Sequence, residues 1–284
     1  MGLLPAIEAF GRFYLRLRGV ESRTLEWREG GPLHFFDARG RGPLPPLVLQ
    51  HGIGAGKAIQ FAPQLLRLRG AFRRVLAPDL PGHGYSAPAT TMSPETVFAG
   101  FAEVLDRELT EPGILVGNSL GGAMVVQYAL IRPEKVKGLV LVSPGGAPVD
   151  AQELERFLAG FHLPDDDATM RFLERLYHRV PFGTRWLAGD VRALFSAPPM
   201  RELFAAIRAH HLFTPEVVAA LRAPTLLLWG RSDRVMLPAM REFFRAHLPP
   251  GTVIEEPEGV GHCPHFERPF WIGRRIRTFA ESIA

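Results

Sequence analysis

Residues 114–131 carry no formal charge, a run long enough to suggest a membrane span. Its composition points elsewhere. The run contains Gly117, Asn118, Ser119, Gly121, Gly122 and Gln127, which suit a buried strand, a tight turn and a buried helix better than a lipid-facing helix. Ile-Leu-Val precedes the turn and Gly-Ala-Met-Val-Val-Gln-Tyr-Ala-Leu follows it. A G-x-S-x-G motif at residues 117–121 thus lies between a predicted strand and a predicted helix, the setting in which such a serine acts as a nucleophile. Glycine at 117 and 121 lets the backbones close around a strained bend. The Ser119 hydroxyl would then project above the sheet at a helix N-terminus, where developing negative charge is favoured.

The rest of the chain repeats the same alternation. Short strands are predicted at 24–28, 33–37, 47–50, 74–77, 114–116, 139–142, 225–229 and 253–255. The first two flank a Gly30-Gly31-Pro32 turn. Helices are predicted at 61–68 and, from the Ser93 cap and Pro94, to about 109. Strands alternating with helices imply an α/β fold with a mostly parallel, doubly wound sheet. One connection breaks the rhythm. Between residues 143 and 225 lie roughly eighty residues, far beyond an ordinary loop. They read as helical pieces at 151–160, 168–177, 186–195 and 201–210, rich in phenylalanine. The expected organisation is an N-terminal amphipathic helix (1–20), a core (21–144 and 223–284) and an inserted helical cap (145–222).

Composition sets the class. In 284 residues, 46% are apolar and 22% charged, enough to bury a full core. Lysine and arginine exceed the acids by only four, and no block of like charge suggests a nucleic-acid-binding tail. A single cysteine, Cys263, excludes an internal disulfide and a multi-cysteine metal site. Glu8, Arg12, Arg16 and Arg18 interrupt any signal-peptide core, so the protein is expected to be soluble and cytoplasmic, with no integral membrane segment. Leu3, Ile7, Phe10, Tyr14 and Leu17 make one helical apolar stripe. It is expected to pack on its own domain or on a partner subunit in a homo-oligomer. The alternative is a peripheral membrane contact, with Arg12, Arg16 and Arg18 near the headgroups.

Five segments in order carry a resemblance. They are His51-Gly52-Ile53-Gly54, Pro78-Asp79-Leu80-Pro81-Gly82-His83-Gly84, residues 117–121, Trp229-Gly230-Arg231-Ser232-Asp233 and Gly261-His262. Together they resemble the α/β-hydrolase superfamily from about Thr24 to the C-terminus. The resemblance implies that an acid and then a histidine follow the serine late in the chain. Asp233, just past the 225–229 strand, and His262, after the last strand, fill those places. A neutral His262 would take the proton from Ser119, and Asp233 would fix its tautomer. The oxyanion needs two backbone N–H donors. Leu120 follows the nucleophile directly, and the resemblance supplies Ile53, with Gly54 and Gly56 keeping that loop slim. Asp79 and His83 also follow a strand and are the nearest competitors, but they precede the serine, and Asp79 reads as structural. His265 competes for the base, but Gly261, His262, Glu267 and Pro269 match the family spacing and favour His262. Cys263 reads as a passive small residue.

Serine at 119 argues against the aspartate-nucleophile relatives, haloalkane dehalogenases and epoxide hydrolases. Acyl transfer to water through a serine ester is expected, with no cofactor and no metal. The aromatic cap suggests a small-molecule ester of fairly apolar acyl or aryl groups, with Phe157, Phe161, Phe172 or Trp186 as pocket walls. The alternative enzyme is a carbon–carbon bond hydrolase of aromatic ring-cleavage products (vinylogous diketones), whose turn Gly-Asn-Ser-Leu-Gly-Gly resembles. Against it stand Cys263-Pro264-His265-Phe266, without that group's tryptophan, and Gly-Ala-Gly in the oxyanion loop. A non-catalytic binding protein on this fold would be expected to lack Ser119, Asp233 or His262.

Overall fold

Strands buried on both faces read as almost continuous apolar runs, and such runs build the centre of this sheet. The computed structural model describes residues 2–54 and 57–284; Gly56, assigned above to the slim loop, lies outside them. The strands are β1 (Glu21–Leu25), β2 (Leu33–Arg39), β3 (Leu47–Gln50), β4 (Arg74–Pro78), β5 (Gly113–Asn118), β6 (Val136–Val142), β7 (Thr225–Leu228) and β8 (Val253–Glu255). Their order in the sheet is β1-β2-β4-β3-β5-β6-β7-β8. The pairs β1–β2 and β2–β4 are antiparallel, and every other pair is parallel. The α/β, mostly parallel architecture expected from the alternation is the one observed.

Helices cover both faces: α1 (Leu3–Leu17), α2 (Ala62–Leu68), α3 (Pro94–Glu108) and α4 (Leu120–Ile131). Between β6 and β7 come α5 (Ala151–Ala159), α6 (Asp166–Leu176), α7 (Ala188–Phe195), α8 (Pro198–Ala206) and α9 (Pro215–Ala219). The chain ends with α10 (Pro238–His247), α11 (Pro264–Glu267) and α12 (Pro269–Ser282). Side chains alternate across each strand, so one strand feeds two cores. Val48, Leu115, Leu139 and Leu141 join α3 and α4 on one face. Leu47, Leu49, Ile114, Val116, Val140 and Val142 join α2 and α12 on the other.

Three expectations need correction. The first strand ends at Leu25 rather than Arg28, because Leu25 already pairs with Leu33 and the chain must turn. Trp27 is drawn into the core there. A Cβ on Gly30 would stand 2.5 Å from the Pro88 carbonyl oxygen, and Gly31 has φ +105°. Second, the apolar stripe of α1 does not pack on its own domain. Leu15 is the buried residue of that helix, whereas Leu3, Ile7, Phe10, Phe13, Tyr14 and Leu17 are all exposed. Third, α9 was not foreseen: at five residues it is too short for a periodic signal, although its Thr214 cap accepts from Val217 N–H at 3.4 Å.

Candidate active site

Strand β5 ends at Asn118 and α4 begins at Leu120, so Ser119 alone makes the bend. Its backbone sits at φ 56°, ψ −121°, a conformation that costs a non-glycine residue about 1–3 kcal/mol and persists only under constraint. The constraint is visible. Ser119 N–H donates to the Val142 carbonyl at 3.1 Å, and the Ser119 carbonyl accepts from Gly122 and Gly145 N–H, both at 2.8 Å. A Cβ on Gly117 would stand 2.2 Å from the Gly121 carbonyl oxygen, and one on Gly121 would stand 2.5 Å from those of Gln50 and His51. No other residue fits either position without moving the turn. Leu120 N–H opens α4, among the first helical donors that have no carbonyl of their own helix to bind.

The acid and the histidine predicted from the late segments meet. His262 Nδ1 donates to Asp233 Oδ2 at 2.8 Å. The other carboxylate oxygen accepts from Val235 N–H at 2.9 Å and Met236 N–H at 3.2 Å, an Asx-type turn that fixes the side chain. Burial alone would raise the Asp233 pKa. The His262 ring, its hydrogen bond, the Ser143 hydroxyl and the Val235 N–H more than offset burial and hold the carboxyl below its ordinary value. The strand end and the histidine loop approach closely, for a Cβ on Gly230 would stand 2.4 Å from the Val260 and Gly261 carbonyl oxygens. The loop is braced by Glu267, which accepts from Gly261 N–H at 2.7 Å and His178 N–H at 2.5 Å.

Asn118 ties this pair to the serine turn. Its amide donates to the His262 carbonyl at 2.9 Å and to the Val142 carbonyl at 3.1 Å. Sequence reasoning passed over Asn118, whose signal was only its place before the serine. Ser119 and His262 make no hydrogen bond to each other here: the hydroxyl lines a cavity, while His262 is 3% exposed. His265 does not compete. It lies buried with Nε2 against Gln60 Oε1 at 3.1 Å, and burial pushes its pKa down to about 3. Burial likewise raises the Cys263 thiol well above its usual range, helped by Asp233 and Glu267, which leaves it un-ionised and passive.

Ile53 lies on the loop after β3, and that loop is pinned by two histidines. His51 donates from Nδ1 to the Gly52 carbonyl at 2.7 Å and accepts Leu80 N–H on Nε2 at 3.1 Å. His83 donates to the Pro81 carbonyl at 3.0 Å and accepts Gly54 N–H at 3.1 Å. Both rings must be neutral to accept, and burial favours that, pushing His83 down to about 3 and lowering His51. Gly52 must lack a side chain, since a Cβ would stand 3.1 Å from Ser119 Cβ. Asp79 proves structural, as expected. It accepts from His34 Nδ1 at 2.7 Å, Ala58 N–H at 2.7 Å and Tyr85 N–H at 3.1 Å.

Above Ser119 lies a cavity of about 570 Å³. Ile53 and Leu120 line it beside the serine, Phe157, Phe161 and Phe204 line it from the segment between β6 and β7, and Met236 and Met240 from around α10. Two of the four proposed aromatic walls are therefore elsewhere. Phe172 packs behind Phe161, with ring centroids 5.6 Å apart. Trp186 is 70% exposed, set outward by the 3-10 turn Thr184–Leu187. At the cavity's exposed margin, Glu95, His210 and His211 bring possible ligand atoms within 4.8 Å of one another. His211 Nδ1 already accepts Arg208 N–H at 2.8 Å, so Nε2 carries the ring proton and donates it to Glu95 at 2.6 Å. That arrangement latches the inserted segment to the first turn of α3.

The model of the alpha/beta hydrolase family matches residues 47–272. The pimeloyl-[acyl-carrier protein] methyl ester esterase of Methylococcus capsulatus is 30% identical over 87% of this chain and 98% of its own. Among solved structures, a bacterial membrane phospholipase A superposes with a TM-score of 0.81 at 25% identity, over 99% of this chain and 91% of that one. The 2-hydroxy-6-oxo-6-phenylhexa-2,4-dienoate hydrolase of Rhodococcus sp. strain RHA1 gives 0.75 at 23%, over 92% and 99%, a likeness of fold alone. No helix among the described residues is long and apolar enough to cross a membrane. With most of its length matched by the family model and a relative similar almost end to end, this chain belongs to the alpha/beta hydrolase family.

Proposed function

We propose that the protein hydrolyses carboxylic esters of apolar acyl groups through an acyl-enzyme on Ser119. The observation that carries this reading is the Asp233–His262 bond of 2.8 Å, hung beside the serine turn by the Asn118–His262 bond of 2.9 Å. With Nδ1–H committed to Asp233, His262 presents Nε2 as the base. It takes the Ser119 proton as Oγ attacks the acyl carbon, and Asp233 stabilises the imidazolium that results. The tetrahedral oxyanion is held by the N–H groups of Ile53 and Leu120. Its collapse breaks the ester C–O bond, and His262 returns the proton to the leaving alkoxide. Water, deprotonated by the same ring, then attacks the acyl-enzyme; the acyl–Oγ bond breaks, the ring returns the proton to Ser119 Oγ, and the acid leaves.

The apolar cavity above Ser119 supports an acyl chain over a polar substrate, and the esterase named among the relatives supports ester chemistry. The reading takes residues 145–222 as a cap over a core of 21–144 and 223–284. The test is a panel of p-nitrophenyl esters from acetate to decanoate, run beside a vinylogous diketone. We expect kcat/KM to rise along the series by up to about fourfold per methylene, the worth of about 0.8 kcal/mol per buried CH₂. Ser119→Ala should remove about 10⁴-fold or more of that turnover with the fold intact. Preferred turnover of the diketone would replace the reading with carbon–carbon bond hydrolysis.

A further inference from the structure

The outward face of α1 is the largest feature that the reaction leaves unused. The helix packs inward through Leu4, Glu8, Gly11 and Leu15. Glu8 is spent on that inner side, bonded to Lys57 Nζ at 2.7 Å, and Gly11 lies against Ile59. On the outer side Phe10 is 70% exposed, Leu17 68% and Phe13 58%, with Leu3, Ile7 and Tyr14 beside them. At about 100° per residue these six cover roughly a third of the helix circumference. Arg16 falls on one border of this arc and Arg18 on the other, and no acid falls within it.

A second apolar group stands at the same end of the molecule. Leu4 N–H donates to Asp190 Oδ2 at 2.8 Å, which ties the first turn of α1 to the first turn of α7. Four residues before Asp190, Trp186 is exposed, with the Phe182 ring 5.8 Å from its own. The acids nearby are occupied: Asp167 pairs with Arg185 at 3.1 Å and Asp166 with Arg192 at 3.2 Å.

We propose that α1, with Phe182 and Trp186, docks the protein on the surface of an anionic phospholipid bilayer. A wide apolar face bordered by arginines, with exposed aromatic rings at the same end of the molecule, is what lies in the headgroup boundary of such a surface. A contiguous apolar face of this kind on a soluble domain marks an interaction site. A second copy of the chain fits less well. Self-pairing of this face would bring the same arginine borders together with no acid to meet them, whereas anionic headgroups neutralise both borders at once. The helix is too short to span the bilayer and lies along it.

The test is co-sedimentation of the full chain with two kinds of vesicle, phosphatidylcholine alone and phosphatidylcholine mixed with phosphatidylglycerol. We expect binding to the mixed vesicles that weakens with salt, and a blue shift of tryptophan emission that disappears in Trp186→Phe. Phe10→Glu and Arg16→Glu should each lower the partition coefficient by about tenfold. Both side chains are exposed, so the unfolding midpoint and turnover of a short soluble ester should stay unchanged. Equal sedimentation of wild type and Phe10→Glu would overturn the proposal. So would absence of binding to either vesicle. A dimer dissociated by Phe10→Glu, without vesicle binding, would assign the face to a second copy instead.

Discussion

Two buried aspartate–histidine pairs stand just beyond the carboxyl ends of parallel strands, Asp79–His34 after β4 and Asp233–His262 after β7. Their bonds are alike, 2.7 Å and 2.8 Å. Both carboxyls are held below their ordinary pKa against the opposing effect of burial, chiefly by the histidine beside them. They differ in the second ring nitrogen. His34 Nε2 is already bonded to Ser22 Oγ at 2.8 Å. His262 Nε2 makes no hydrogen bond among the described residues. A carboxylate–imidazole bond at a strand end is therefore a general fastening, and only a ring with a nitrogen to spare can serve as a base.

The largest effect expected from this contrast comes from exchanging each ring for a neutral amide. On the proposed mechanism, His262→Gln should lower kcat/KM for an ester by about 10³-fold or more, since the proposed base is lost while the proposed oxyanion donors remain. His34→Gln should leave kcat within a few-fold. Its cost should appear as about 2–3 kcal/mol of stability, because a buried network loses a partner. Measuring turnover and urea unfolding on both variants decides the matter. A large loss of turnover in His34→Gln with native stability would erase the distinction.

The aspartates sharpen it further. Asp233→Asn should reduce kcat by about 10³-fold, because the amide favours the wrong tautomer of His262. Asp79→Asn should cost about 3–5 kcal/mol, since its NH₂ would face a buried donor either way, Ala58 N–H in the place of Oδ1 or His34 Nδ1–H and Tyr85 N–H in the place of Oδ2. Thermal unfolding of Asp79→Asn should move down much further than kcat does.

How these two pairs differ in legibility is instructive. Ser119 could be read because its turn needs glycines at fixed places between a strand and a helix, a local requirement written in adjacent residues. Asp233 and His262 could be named only through the family resemblance, since nothing local distinguishes them from solvated loop residues. His51 and His83 lie in segments that carry the resemblance, but the bonds by which they pin the Ile53 loop were not legible. His51 and His83 act through backbone groups far away in sequence, on Leu80 and Gly54, and spacing carries no trace of such bonds. Helix α1 misled for another reason. Its one continuous apolar stripe faces outward, while the inward line, Leu4, Glu8, Gly11 and Leu15, carries an acid and a glycine and gives no apolar periodicity.

A neighbouring buried ring turns the contrast into a pH dependence. His265 falls from an ordinary value of 6.5 to about 3 through burial, and it has no carboxylate partner. Below pH 6.5 the unfolded chain takes up a proton there that the folded chain refuses. Stability from this site is full above pH 6.5 and is lost as the pH falls toward 3, at about 1.4 kcal/mol per pH unit. Between pH 7 and pH 5 that amounts to about 2 kcal/mol. His265→Gln should remove this share of the acid sensitivity, read from urea unfolding at the two pH values. An unchanged slope would mean that the ring is charged in the folded protein.

The smallest effect should come from Glu267, which touches neither pair directly. It holds the His262 loop by accepting from Gly261 and His178 N–H groups with its two oxygens. Glu267→Gln keeps one acceptor and turns an NH₂ toward the other donor, which should cost about 1 kcal/mol of loop order. Because the loop sets where the His262 ring stands, part of that cost should reach the transition state. We expect kcat to fall by about fivefold with KM nearly constant, and Glu267→Ala to fall further. If the histidine keeps its place without the brace, through Asn118 and Asp233 alone, then kcat will not move and the fastening by side-chain pairs is sufficient for the whole site.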